Sequence, residues 1–288
     1  MRPGEYNAAV LRRLSLASLT VAVLGLGEAG SAVAEDLARA GVRVVGWDPQ
    51  PKRLPEGVRL AEDPHAAVED AEVILVLTTP SASLAVASAV GERLRPGQVY
   101  ADCNSTSPAV KRQVARLLES SGALFADVAL MAPVPGRGVR TPALASGPGA
   151  QALADRLAPL GMPVRVLGPE VGLAAARKLV RSVFTKGLAA SVLEALVAAR
   201  ALGCEREVLE DISKTLEEAD AALLHRLVEG TRQHAARRAD EMRAACELLD
   251  ELGVPARVAR ACVAWLEDLA GWTREGSPSR IRGNRPDG

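Results

Sequence analysis

The chain has 288 residues, long for one hydrophobic core and comfortable for two domains. Hydrophobic side chains make up 48 % and aromatic ones only 2 %, so a sizeable core must be built from Ala, Leu and Val. Lys+Arg and Asp+Glu each number 35, and this neutral balance, with so few stacking rings, argues against a nucleic-acid binder.

The leader MRPGEYNAAVLRRLSLASL has an arginine pair but no uninterrupted apolar core, which makes it a poor signal peptide. Residues 20–26, TVAVLGL, form a short β-branched apolar run and read as a buried strand. EAGSAVAEDLARA (28–40) reads as a helix that stops at Gly41. Further strands are expected at 42–47, 71–77, 98–103 and 123–130. Helices are expected over 81–94 and from Ser107-Pro108 to about 121. After PVPGRGVRTP come ALASG, a helix over 149–159 and a strand over 163–168. This alternation predicts an α/β Rossmann domain with a doubly wound, mostly parallel sheet. From Glu170 only helical patterns remain, to about residue 271. The expected organisation is a Rossmann domain over 1–168, an all-α substrate and dimerisation domain over 169–275, and a disordered tail over 276–288.

Cys103, Cys204, Cys246 and Cys262 form no C-x-x-C pair, so no metal site or disulfide framework is expected, and a reducing cytoplasm fits. No run approaches the ~18 apolar residues of a membrane span, so no membrane partner is expected.

The first strand runs into Gly25-Leu26-Gly27-Glu28-Ala29-Gly30, a G-x-G-x-x-G turn with a strand before and a helix after. The first glycine permits the tight turn, the second lets a pyrophosphate reach the backbone, and the third lets helix and strand pack closely. The helix N-terminus offers N–H groups to the anion. Asp48 ends the second strand near the spacing of a carboxylate that takes ribose hydroxyls, which favours NAD over NADP. Lys52 and Arg53 follow and offer cations to a 2′-phosphate instead. Thr78, Thr79 and Pro80, after the third strand, complete the expected cofactor contacts.

Residues 171–190 read VGLAAARKLVRSVFTKGLAA. On a helical wheel Leu173, Leu179, Val180, Val183, Phe184 and Leu188 share one broad apolar face, read as a core stripe. Lys178, Ser182, Thr185, Ala175 and Ala189 share the opposite face. Lys186 lies about 80° from Lys178 and Arg181 about 60°. A lysine acting as a base near neutral pH needs a depressed pKa, and Arg177 and Arg181 would push in that direction. His225 and His234 lie in a charged run and read as surface residues.

The glycine fingerprint, the block Asp102-Cys103-Asn104-Ser105-Thr106-Ser107-Pro108, and Gly172 with Lys178 six residues later resemble the β-hydroxyacid dehydrogenase family over about residues 19–270. That family includes 3-hydroxyisobutyrate and 6-phosphogluconate dehydrogenases. The resemblance implies Lys178 as acid/base and Asn104 and Ser105 at the substrate and nicotinamide. Ser182 stands where the family usually has asparagine, and Lys186 is a second candidate, for a substrate carboxylate or in place of Lys178. The resemblance further implies NAD or NADP as cofactor, a small hydroxy acid or related carbonyl compound as substrate, and a homodimer. Where family members carry Ser-Gly-Gly after the fifth strand, this chain has Met131-Ala132-Pro133, so MAPVPGRGVRTP builds a different pocket wall. Such a chain resembles a poorly characterised branch. Imine reduction on a related fold and non-catalytic dinucleotide binding are the rival readings. Imine reductases often lack the lysine.

Overall fold

The computed structural model of the chain describes residues 19–275. The leader and the tail lie outside the described residues, apart from Leu19. The strands are β1 Thr20–Leu24, β2 Arg43–Trp47, β3 Arg59–Leu60, β4 Val73–Val76, β5 Val99–Asp102, β6 Leu124–Leu130, β7 Ala143–Ser146 and β8 Val164–Gly168. Between them lie α1 Glu28–Arg39, α2 Pro64–Val68, α3 Ser83–Gly91, α4 Pro108–Leu118 and α5 Ala150–Leu157. The strands form one sheet in the order β3-β2-β1-β4-β5-β6-β7-β8. All neighbours are parallel except β6 and β7.

The sheet has helices on both faces, so its central strands are apolar on both sides. Every residue of β1 is buried. Val21, Val23, Leu37, Leu153 and Leu157 pack on the face covered by α1 and α5. Ala22, Leu24, Ile74, Val90, Val114 and Leu118 pack on the face covered by α2, α3 and α4. The expected α/β architecture is present. Sequence reading missed β3 and α2. The first has two residues and no periodicity. The second carried a readable signal in Asp63-Pro64, because Asp63 accepts the Ala66 N–H as N-cap and Pro64 opens the turn.

Strand order reverses between β1 and β4, so the loops after β1, β2, β4 and β5 gather on one edge of the sheet. That edge is where open α/β sheets bind ligands.

Beyond the sheet come α6 Leu173–Leu202, α7 Glu205–Glu217, α8 Ala221–His225, α9 Thr231–Gln233, α10 Ala235–Glu251 and α11 Arg257–Glu275, with a π-helical turn at Arg226–Gly230. The chain divides into two compact units within α6, between Arg181 and Ser182. Strand patterns end at Gly168, but the first turns of α6 still belong to the sheet unit. Ala174 packs with Ala129 and Leu144 there.

The second unit has a small core of Ala198, Cys246, Leu249, Val254, Ala256 and Ala259. Glu194 of α6 accepts the N–H groups of Arg257, Val258 and Ala259 and so caps α11. Burial opposes its ionisation, but these three N–H groups outweigh that and hold its carboxyl below the usual range.

Two expectations about α6 need correction. The stripe read as core is half-buried at Leu173 and exposed from Leu179 to Leu188: Val180 is 73 % exposed, Val183 76 % and Phe184 65 %. Periodicity identifies an apolar face without saying what covers it. The helix also contains an 18-residue window of mean hydropathy 1.4, so by length and composition it could cross a membrane. Alanine dilutes that window, which is why no continuous run of large apolar residues marks it.

Candidate active site

The glycine loop is built as its sequence implies. Gly25 has φ +96°, and a Cβ there would meet Leu77 O at 2.6 Å. A Cβ on Gly30 would lie 1.8 Å from Gly25 O, so glycine is what lets α1 sit on β1. A Cβ on Gly27 would meet nothing within 4 Å. The backbone there faces open space, and α1 has no side-chain cap. An uncapped helix start beside an open glycine fits a pyrophosphate. Glu28 and Ala29 lie in the first turn of α1.

Asp48 closes the loop from the side. Its Oδ2 accepts the Leu26 N–H at 2.7 Å and its Oδ1 accepts the Gln50 N–H at 2.8 Å. A carboxylate offers about four lone-pair sites, so capacity for ribose hydroxyls remains. Ser31, which sequence reading missed, donates its hydroxyl to Leu26 O at 2.8 Å and pins the same turn. Arg53 forms an ion pair with Glu35 at 2.5 Å. Arg53 also holds the Glu35 carboxyl below its usual range.

A chain of contacts leads from this loop to the lysine. Gly25 abuts Leu77 and Thr78. Asn104 donates its side-chain N–H groups to Thr78 Oγ1 at 3.1 Å and Ser83 Oγ at 2.8 Å. Its Oδ1 is buried and finds no partner among the described residues, which leaves an acceptor for a ligand's O–H or N–H. Thr79 and Pro80 open a 3₁₀ turn at Pro80–Ala82 that leads into α3, and Thr79 Oγ1 lies 3.1 Å from Ser81 Oγ. Ser105 is exposed, and Lys178 donates to its hydroxyl at 2.6 Å. Asn104, Ser105 and Lys178 thus come together, although they are contributed by the loop after β5 and by α6.

Ser182 and Lys186 lie four and eight residues beyond Lys178 on α6, about 6 and 12 Å along its axis, and belong to the second unit. His225 and His234 are exposed. Burial pushes the Cys103 thiol up to about 12, so it is a neutral packing group.

The segment after β6 is fixed at two points. Arg181 donates to Met131 O at 2.5 Å, and the Val139 N–H donates to Asp36 Oδ2 at 3.1 Å. Gly138 has φ +52°, which favours glycine, and a Cβ there would push aside the Asp36 carboxylate that holds Val139. This wall is therefore tied to the lysine helix at one end and to α1 at the other.

Sequence reading also missed a charge cluster beneath the site. Lys111 of α4 is fully buried, with Asp102 and Asp127 beside it. Lys111 falls at i of an apolar i, i+3, i+7 stripe with Val114 and Leu118, a local hint that it faces inward but not of what it meets.

The fold and the glycine loop are those of a dinucleotide-binding domain. Residues 20–148 match the NAD-binding domain of 6-phosphogluconate dehydrogenase, and residues 199–269 match a domain of unknown function, DUF1932. The chain pairs a dinucleotide-binding domain of the 6-phosphogluconate and 3-hydroxyisobutyrate dehydrogenase type with a DUF1932 domain. It is 30 % identical over 145 residues to human mitochondrial 3-hydroxyisobutyrate dehydrogenase, covering 47 % of this chain and 42 % of that enzyme. A conserved protein of unknown function, described as structurally similar to 3-hydroxyacid dehydrogenases, is 28 % identical with a TM-score of 0.57. That match covers 90 % of this chain and 100 % of the other. The imine reductase of Myxococcus stipitatus, solved with NADP+, shares the fold at 22 % identity with a TM-score of 0.72, covering 88 % and 94 %. These matches give residues 20–148 a dinucleotide-binding domain of the dehydrogenase type, and the likeness to the imine reductase is one of fold.

Proposed function

We propose that the protein is an oxidoreductase of the 3-hydroxyacid dehydrogenase type, with Lys178 as acid/base and a small hydroxy acid as substrate. The observation that carries this reading is the Lys178–Ser105 contact, joined through Asn104 and Thr78 to the glycine loop. A bound nicotinamide dinucleotide supplies the hydride acceptor. The chain's own part is to take the alcohol's hydroxyl proton on Lys178 Nζ during oxidation and to return it to the carbonyl during reduction. Asn104 Oδ1 and Ser105 Oγ orient the substrate. The test is turnover of a panel of hydroxy acids, with imines alongside, using both NAD and NADP. Cofactor binding without turnover of any alcohol or imine would favour the non-catalytic reading instead.

NAD is the preferred dinucleotide in this reading. The Asp48 carboxylate repels a 2′-phosphate, and Glu35 engages the arginine that could receive one. Glu35→Gln is expected to raise NADP affinity relative to NAD by up to about fivefold, because an exposed ion pair is worth ~0–1 kcal/mol. Titration of both dinucleotides reads this ratio, and an unchanged ratio would remove Arg53 from the argument.

A second copy of the chain is the partner that fits α6. Val180, Val183 and Phe184 leave a contiguous apolar stripe open on this helix, and the second unit's own core is small. A membrane suits it less, because Glu194 within the apolar window is committed to capping α11. Sedimentation equilibrium should report twice the 30.1 kDa chain mass. The pair Val183→Glu and Phe184→Glu should return the monomer, and a wild-type monomer would end this proposal.

A further inference from the structure

Lys111 carries a charge into the core of the first unit. Strand register sets Asp102 of β5 opposite Asp127 of β6, and all three side chains are buried. Lys111 Nζ lies 3.3 Å from Asp102 Oδ2 and 3.5 Å from Asp127 Oδ1, and it donates to the Asp102 carbonyl at 2.5 Å. Burial raises the Asp102 carboxyl above its usual range, and the lysine between the two strands opposes that. Buried ion clusters are poor stabilisers beside a well-packed apolar plug, so stability alone does not account for this one.

The remaining oxygens of the two carboxylates show what the cluster holds. Asp102 Oδ1 accepts the Asn104 N–H at 3.0 Å. Asp127 Oδ2 accepts the Ala175 N–H at 3.0 Å and the Ser146 hydroxyl at 3.1 Å. Ser146 Oγ in turn accepts the Ala174 N–H at 3.1 Å. Ala174 and Ala175 lie in the first turn of α6, where N–H groups have no intrahelical acceptor. Lys178 follows Ala175 by three residues, on the same side of the helix.

We infer that Lys111, Asp102 and Asp127 form a clamp that sets the Lys178–Ser105 contact, and that Lys111 is a positioning residue for it. One carboxylate carries the Asn104–Ser105 turn and the other carries the start of the Lys178 helix. A single buried cation joins them, and moving either carboxylate displaces one half of the site against the other. The inference deepens the dehydrogenase reading and rests on it for its functional meaning.

Trace acetylation of the full-length protein with acetic anhydride, followed by mass spectrometry of the Lys178 peptide between about pH 6 and 10, tests this without a substrate; a midpoint shift of half a unit corresponds to roughly threefold in rate. Lys111→Met and Asp127→Asn should each move the Lys178 profile by at least that amount. Lys186, further along the same helix, and Lys52, after β2, should keep their wild-type profiles. Asp127→Asn keeps the size of the side chain and one acceptor oxygen, so it decides the matter if Lys111→Met does not fold. Folded variants with an unmoved Lys178 profile would overturn the inference, whatever their melting temperatures. NAD titration of the same samples separates the two proposals. A wild type that does not bind NAD removes the dehydrogenase reading and leaves the labelling comparison standing.

Discussion

Lys178→Ala is expected to lower kcat/KM on a true hydroxy-acid substrate by about 10²–10⁴, the usual worth of a positioned general acid or base. NAD affinity should stay within about threefold, a change of well under 1 kcal/mol, because the glycine loop and Asp48 lie on other elements. The loss should fall on kcat, since proton transfer belongs to the transition state more than to ground-state binding. Ser105→Ala removes only the hydroxyl that receives the lysine, and about a tenfold loss is expected from one hydrogen bond to a charged group. Lys186→Ala is the needed comparison, since it lies about 12 Å further along α6. If Lys186→Ala abolishes turnover while Lys178→Ala leaves it intact, the acid/base assignment moves to Lys186. If neither matters on a substrate that is turned over, a lysine mechanism is excluded.

The parts of this protein that were legible in its sequence are those dictated by local chemistry. TVAVLGL was legible as a buried strand, because a β-branched apolar run fits a two-sided sheet, although the strand stops at Leu24 where the glycine turn begins. The glycines were legible because Gly25 and Gly30 answer backbone constraints that no other residue meets, while Gly27 leaves the backbone open for a ligand's approach. Lys178 draws attention only through its spacing from Gly172, since periodicity alone reads it as a solvated lysine, and what the structure adds is its contact with Ser105. What could not be read were facts about what lies opposite. The stripe from Leu179 to Leu188 has the same pattern whether it is covered by the chain's own core or left exposed, and here it is exposed. Lys111 was overlooked for a related reason. A lysine on a helix reads as surface until strand register places two carboxylates beneath it, and that register is a long-range property. The wall from Met131 to Thr141 departs from the resemblance, and its course depends on Asp36, about a hundred residues earlier in the chain.

The glycine loop allows packing to be separated from cofactor contact, and the two outcomes should be opposite in kind. Gly30→Ala puts a Cβ 1.8 Å from the Gly25 carbonyl oxygen, a main-chain atom that no rotamer change can relieve. α1 must then lift from β1, and the fold should lose at least the ~1–3 kcal/mol typical of overpacking. NAD affinity should fall with it, because the turn itself moves. Gly27→Ala differs in both respects. Gly27 has φ −67°, which alanine adopts without strain, and its Cβ would meet no protein atom within 4 Å. Stability should stay within about 0.5 kcal/mol of wild type. The added methyl would nevertheless occupy the space through which a pyrophosphate approaches the backbone. NAD affinity should therefore fall by about tenfold or more, at least ~1.4 kcal/mol. Denaturant melts and NAD titrations on the two variants check this. A Gly27→Ala protein that melts and binds NAD like wild type would mean that the open face of this loop is not where the cofactor lies. A Gly27→Ala protein that melts like wild type but no longer binds would tie the loss to the ligand alone, since the fold offers nothing else for that methyl to touch.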